Sequence, residues 1–230
     1  MNAELRAELL RRTERDQAAR RAAAAAHREA RVIRRDADPD ADAGADAGPS
    51  PLEAVDAANL PWLRQVIAEF GWPGRSLVGA DGAHAAWLLA QHADADPAFQ
   101  RQCLDLLAGA AAAGEATGAE LAYLTDRVAL AEGRPQEYGT QAAARDGRWA
   151  PRRLRDPDTV DARRAAVSLG PIAEYLDRIA ADYGPPRPAV LPCPQCGTDI
   201  EFWLPDEGEE LQVRCGQCGQ AVIIGSPVTP

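Results

Sequence analysis

The 230-residue chain contains no lysine; all 25 of its basic residues are arginine. Together with an excess of Ala and Asp, this reads as the mark of a GC-biased coding sequence, so arginine richness alone does not signal a function. Aromatic residues make up only 5% of the chain, and much of its 46% hydrophobic content is alanine. Any core must therefore be built from few large side chains. No run approaches the ~20 apolar residues needed to span a bilayer, and the N-terminal MNAELRAELLRRTERD carries charges where a secretion signal needs an apolar stretch. The expectation is a cytoplasmic protein with no membrane partner, in a reducing compartment that keeps cysteines as thiols. A net charge of −10 argues against nucleic acid as a partner, because neutralising phosphates needs a surplus of cations. GADGAH (79–84) lacks the lysine of a phosphate-binding loop, and neither a serine elbow nor a reactive-cysteine context is present. His27, His84 and His92 are the only histidines, and the last two lie two helical turns apart, so no metal site is expected before the C-terminal cysteines.

This length allows one medium domain and one small one. Residues 3–33 read as one long helix, with Leu5, Leu9 and Leu10 opening an apolar face and Val32 and Ile33 closing it. Within it Asp16, Gln17 and Arg20 can share one side, either as an exposed ion pair or as the polar edge of a site. Residues 36–51, DADPDADAGADAGPSP, have too little apolar surface to order themselves and read as a flexible acidic tether. They lack the glycine and terminal glutamate of a calcium loop. A helix is expected to restart at Asn59 as N-cap, with Pro61 in its first turn and Leu60, Leu63, Val66, Ile67 and Phe70 inward. Gly71 and Pro73 stop it. Asp81 then caps a helix over 82–93 and Asp96 another over 97–113, in which Cys103 is a small buried hydrophobe. A further helix spans 118–132. The Asp146-Gly147 pair predicts a β-hairpin turn ahead of two last helices at 159–169 and 171–182.

Beyond a Pro-rich linker at 183–190, the cysteines Cys193, Cys196, Cys215 and Cys218 form two CxxC knuckles separated by 18 residues. That spacing fits a zinc pattern, in which each knuckle puts two sulfurs on one tight turn and two knuckles close a tetrahedron. Four thiolates leave no open coordination position, so the expected zinc, one per chain, is structural. Disulfides or an iron–sulfur cluster are the alternatives. A redox CxxC sits at a strand-to-helix junction, whereas Gly-led strands follow here. TDIEFWLP, ELQVR and AVIIGSPV read as the strands of a ribbon, with PDEGEE as a turn. With six acids against one arginine in residues 191–230, this module suits protein recognition or stabilisation, and Phe202-Trp203 either docks a partner or fills its core.

Several polar groupings are spaced along the helical part: Asp16, Gln17 and Arg20; Asp56 and Asn59; Gly71, Trp72 and Pro73; Gln91, His92 and Asp94; Asp126 and Arg127; Gln136, Tyr138, Gly139, Thr140 and Gln141; Val160, Asp161, Arg163 and Arg164. In this combination, residues 3–182 resemble a bacterial family known as domain of unknown function 6624, and the tether and ribbon look like additions to it. The resemblance implies no activity. Read as residues, His92 is either a packed structural histidine or a general base or ligand, oriented by Asp94 or Asp126 with Tyr138 as a second donor. Gln91, Gln136 and Gln141 could orient a ligand, and Arg127, Arg163 and Arg164 could clamp an anion or join a structural network with Asp126, Asp158 and Asp161.

The expected architecture is mainly α: a helical domain over 1–182 with a small β-hairpin, the linker, and a small all-β zinc ribbon over 191–230. Two functions remain open. One is a ligand- or protein-binding helical domain with a structural ribbon. The other is an enzyme, a hydrolase or transferase on a small or peptidic substrate, using His92 with Asp126 and Tyr138.

Overall fold

The computed structural model describes residues 1–33, 50–203, 205 and 210–225, with side chains inside the first helix described as far as Ala25. The side chains of His27, Val32 and Ile33, the tether except for its last two residues, and most of the PDEGEE turn lie outside what is described. The protein is mainly α with small antiparallel hairpins, and no described helix is long and apolar enough to cross a membrane. The chain divides into two compact units, Met1–Leu121 and Ala122–Pro230.

The first unit holds α1 (Ala3–Ile33), α2 (Pro51–Phe70), α3 (Arg75–Gln91), α4 (Pro97–Ala112) and the start of α5 (Gly118–Ala131). Helix α1 lies against both α2 and α3. The core is the expected sparse one, with Leu5, Leu9, Leu63, Val66, Ile67, Val78, Leu89, Phe99, Cys103 and Leu107 buried among small alanines. Phe70, expected inside, is 37% exposed because α2 reaches its last turn there.

Helix α2 is capped nine residues before the expected N-cap, at Ser50 in place of Asn59. Ser50 accepts from the amide of Glu53 while the Glu53 carboxylate accepts from the amide of Ser50, a reciprocal cap, and Pro51 follows at the first helical position. This cap outcompetes Asn59, leaving Asn59 mid-helix and Pro61 inside α2, where it removes one backbone hydrogen bond. Helix α3 also starts early, at Arg75. A break at Gly79 (φ 77°, ψ 168°) then separates its first turn from the run that Asp81 was expected to open. Such a φ is open to glycine and strained for other residues. Asp96 does cap α4, accepting from the Phe99 amide at 3.0 Å.

In the second unit α5 continues to Ala131 and is followed by a hairpin of β1 (Ala142–Arg145) and β2 (Arg148–Pro151), turned at Asp146-Gly147 with both residues at positive φ. Helices α6 (Val160–Ala166) and α7 (Ile172–Tyr183) come next. The ribbon consists of two hairpins, β3 (Ala189–Pro192) with β4 (Asp199–Phe202) and β5 (Glu210–Arg214) with β6 (Ala221–Gly225). Strand β3 takes up the end of the stretch read as linker, because Val190 and Leu191 pair with Glu201 and Ile200.

Gly139 (φ +65°) sits where an added Cβ would fall 2.6 Å from Ile172 Cδ1, whereas Gly133 (φ +69°) has open space around it. Gly139→Ala is expected to lower the unfolding free energy by about 1–3 kcal/mol, and Gly133→Ala by about 1 kcal/mol from backbone strain alone. Urea titrations that rank the two equally would contradict the close packing of Gly139.

Candidate functional site

The first polar cluster joins three helices of the first unit. Asp16 on α1 is fully buried, and its carboxylate accepts from Gln17 Nε2 at 3.0 Å and from Arg20 Nε at 3.1 Å. His92, which caps the end of α3, brings Nδ1 within 2.8 Å of Asp16 Oδ2 and 3.0 Å of Oδ1. Arg20 also donates to Asp56 on α2 at 2.7 Å. One turn further along α2, Asn59 Oδ1 accepts from Arg12 Nη1 at 3.2 Å, and the Arg12 guanidinium stacks over Trp62 at 4.4 Å.

Arg20 Nε lies 2.9 Å from His92 Nδ1 as well as against Asp16. An ionised carboxylate is the stronger acceptor, so both N–H groups are assigned to Asp16, which leaves Nε2 as the ring's acceptor. Burial pushes the Asp16 pKa up, but the hydrogen bonds and charges of His92 and Arg20 pull it down further, so it ends below the ordinary carboxylate value. Asp56 goes the other way: burial raises its pKa and the nearby negative Asp16 adds to that, with Arg20 opposing. Two carboxylates on one arginine are thus driven apart.

His92 therefore takes its carboxylate partner from Asp16, 76 residues away in sequence. Asp94, one of its expected orienters, instead accepts from Gln100 Nε2 at 3.1 Å. Gln91 is buried, with its backbone carbonyl accepting from the same Gln100 amide at 3.2 Å. The GWP segment forms a rigid corner: Gly71 closes α2 at positive φ, Pro73 is fully buried, and Trp72 Nε1 is buried with no partner among the described residues.

The second cluster belongs to the second unit and centres on Asp126. This fully buried carboxylate accepts from the amides of Glu137 (2.7 Å), Tyr138 (3.0 Å) and Thr140 (2.8 Å) and from the Thr140 hydroxyl (3.0 Å). Burial raises its pKa against the pull of those amides. Gln136, also fully buried, accepts from the Gln141 amide at 2.7 Å and donates to the carbonyls of Gln141 and Arg152. Arg164, buried, donates to the carbonyls of Tyr138 and Gly170, and Arg163 donates to that of Glu137. Asp161 accepts from the Ile172 amide, and Arg127 is engaged as well. Asp126, Gln136, Arg163 and Arg164 thus hold one loop by its backbone. Tyr138 contributes its amide and carbonyl to this arrangement, and burial raises the pKa of its phenol. Gln141, half-buried, donates from Nε2 to the Thr140 hydroxyl at 3.3 Å. It lines a cleft of about 680 Å³ in the second unit together with Tyr123, Trp149, Tyr175, Arg178 and Tyr183.

The third cluster is the cysteine set. The ligand atoms of Cys193, Cys196, Cys215 and Cys218 all lie within 4.8 Å of one another, so the four can hold a metal ion. The knuckles repeat each other. Gly197 and Gly219, both at positive φ, donate to the carbonyls of Cys193 and Cys215 at 2.9 Å, and those two cysteines donate back to Thr198 (2.8 Å) and Gln220 (2.9 Å). All four are free thiols, with the cross-knuckle pairs Cys193–Cys218 and Cys196–Cys215 both at 3.6 Å. Cys103 is apart from them, buried, with its thiol pushed up to about 12 by desolvation.

Two pairings were missed from sequence. One is Asp16 with His92. The other is His84 with Glu120, whose carboxylate lies 3.0 Å from His84 Nδ1 and also accepts from the Thr117 amide, while the Thr117 hydroxyl accepts from the Glu120 amide. The Thr117-x-x-Glu120 capping box was the available signal for the second.

Because the folded pKa of Asp16 lies below that of an unfolded aspartate, at about 3.9, its contribution to stability is complete above that pH and is lost as pH falls through the folded value. Unfolding free energies measured by urea between about pH 3 and pH 6 should fall on acidification, and less steeply in Asp16→Asn. Parallel curves would show that the cluster does not hold Asp16 ionised.

Comparison with known proteins adds one assignment. No curated protein and no solved structure matches the chain. A family model described as a family of unknown function matches residues 3–186. That span takes in the Asp16 and Asp126 clusters and stops short of the four cysteines, and on it the chain belongs to the family of unknown function DUF6624.

Proposed function

We propose that the chain is a zinc protein whose ribbon is structural and whose helical part binds a ligand or partner. The observation that carries the metal assignment is the sulfur geometry. A tetrahedron with zinc–sulfur bonds of ~2.3 Å has edges of about 3.8 Å, and the cross-knuckle sulfurs stand at 3.6 Å. Hard cations such as calcium and magnesium prefer oxygen, so an all-thiolate set selects a soft or borderline ion. The Thr198 hydroxyl, 3.4 Å from Cys196 Sγ, supports that ligand from behind. Beneath the knuckles the core amounts to Ile200 with Leu191, Val213 and Val222 around Cys193 and Cys215. So small a core needs the metal to fold.

Binding is favoured over catalysis by where the buried charges go. Both oxygens of Asp16 and both of Asp126 are bonded within the protein, so neither carboxylate is positioned to exchange a proton with a substrate. The net charge of −10 favours a protein or small molecule over nucleic acid as partner, and a cytoplasmic setting suits free thiols. One observation favours the enzymatic alternative: Asp16 fixes the His92 tautomer and leaves Nε2 as a proton acceptor on a side chain that is 13% exposed. In that version Asp16 takes the orienting role first given to Asp126.

Elemental analysis of the purified full-length protein should find one zinc per chain, lost in Cys193→Ser/Cys215→Ser. Native mass spectrometry then reports any co-purified ligand. Absence of zinc after reducing purification, or its retention in the double variant, would overturn the metal assignment. For the helical part, His92→Gln should leave a co-purified ligand in place. A reactant that accumulates unconverted on His92→Gln and not on the wild type would favour the enzyme.

A further inference from the structure

The cleft in the second unit has features that neither the metal nor the Asp126 loop requires. The chain has only five Trp, four Tyr and three Phe, yet Tyr123, Trp149, Tyr175 and Tyr183 all line this one cleft. They form two ring pairs: Tyr123 with Tyr175 edge-on at 6.3 Å and Trp149 with Tyr183 tilted at 6.1 Å. Tyr183 is 60% exposed. The Tyr175 hydroxyl is tied to the Thr140 carbonyl and Trp149 Nε1 to the Gly184 carbonyl at 2.9 Å, so both rings are held in place before any ligand arrives. Pre-set rings lose little entropy on binding, which is why aromatic walls make good ligand surfaces.

Arg178 on α7 lines the same cleft and makes no hydrogen bond or ion pair among the described residues. Burial raises the pKa values of Tyr123 and Tyr175, and the opposing pull of the Arg178 charge is felt at both, which places the guanidinium by the two rings. Ser168 stands in the cleft wall with φ +61°, a strained conformation for a residue other than glycine. A volume of about 680 Å³ falls in the range of small-molecule sites, roughly 300–1,000 Å³. Asp182, one turn beyond Arg178, also lines the cleft and would repel a second negative charge.

We propose that this cleft binds a small aromatic carboxylate, its ring between the Tyr123/Tyr175 and Trp149/Tyr183 pairs and its single negative charge on Arg178. The Arg178 fork matches a carboxylate in two parallel hydrogen bonds, and Ser168 and Gln141 offer further donors. The proposal rests on the reading of the helical part as a binding domain and names the ligand class that it takes.

The test uses the full-length, metal-loaded protein, titrated calorimetrically with indole-3-acetate, with indole lacking the carboxylate, and with adenosine monophosphate. Indole-3-acetate should bind with a Kd below about 1 mM, at least about tenfold tighter than indole or the nucleotide. Arg178→Gln should weaken it about tenfold, while the melting temperature stays unchanged because Arg178 is exposed. Tyr183→Ala should weaken all ring-bearing probes together. No saturable binding up to about 10 mM, unchanged affinity in Arg178→Gln, or tighter binding of the nucleotide would overturn the proposal. A co-purified ligand retained equally by Arg178→Gln would leave the binding reading standing and remove this one.

Discussion

A carboxylate taken completely out of water has to be answered by donors inside the protein, and this constraint organises both halves of the chain. Asp16 and Asp126 are each fully buried. An isolated ion in such a place is far too costly to survive, so its surroundings must be built around it. Asp16 is answered by side chains from two helices, Gln17 and Arg20 on α1 and His92 at the end of α3, and Arg20 carries the network on to Asp56 of α2. Asp126 is answered by backbone amides, so that one side chain on α5 fixes the path of residues 137–140. In a protein with few large apolar side chains, such polar anchors supply specificity that packing alone does not.

The cysteine module meets the same scarcity by another route. Its hairpins bury little, and its order comes from two repeated knuckles in which Gly197 and Gly219 turn the backbone so that each CxxC presents two sulfurs. A metal bound there would contribute its affinity to folding. The family assignment ends at residue 186, ahead of Cys193, so the module stands outside the matched region.

Much of the fold was legible because local chemistry set it. The Asp96 cap, the Asp146-Gly147 turn, the four cysteines and the burial of Cys103 could all be read from a few neighbouring residues. The errors arose where two local signals competed. Ser50-Pro51-Leu52-Glu53 is a stronger helix start than Asn59 with Pro61, and it lies at the edge of a tether judged structureless. Strand β3 was hidden in a Pro-rich stretch because only its pairing with β4 makes it a strand. The candidate site was legible as a set of residues but not as partnerships. Asp16, His92, Asp126 and Gln136 could all be singled out, yet Asp16 meets His92 across 76 residues and Asp126 and Gln136 bind mainly backbone groups, and single-sequence periodicity carries no information about either.

The buried carboxylates of Asp16 and Asp126 chiefly anchor structure, and for Asp126 this can be measured. The most direct test is amide hydrogen exchange on Asp126→Ala. Removing the acceptor leaves one buried and two part-buried amides unpaired, each costing about 1–3 kcal/mol. Protection of the Glu137, Tyr138 and Thr140 amides should collapse and global stability should fall by about 3 kcal/mol or more. Protection at those three amides equal to that of the unaltered protein would contradict the anchoring role.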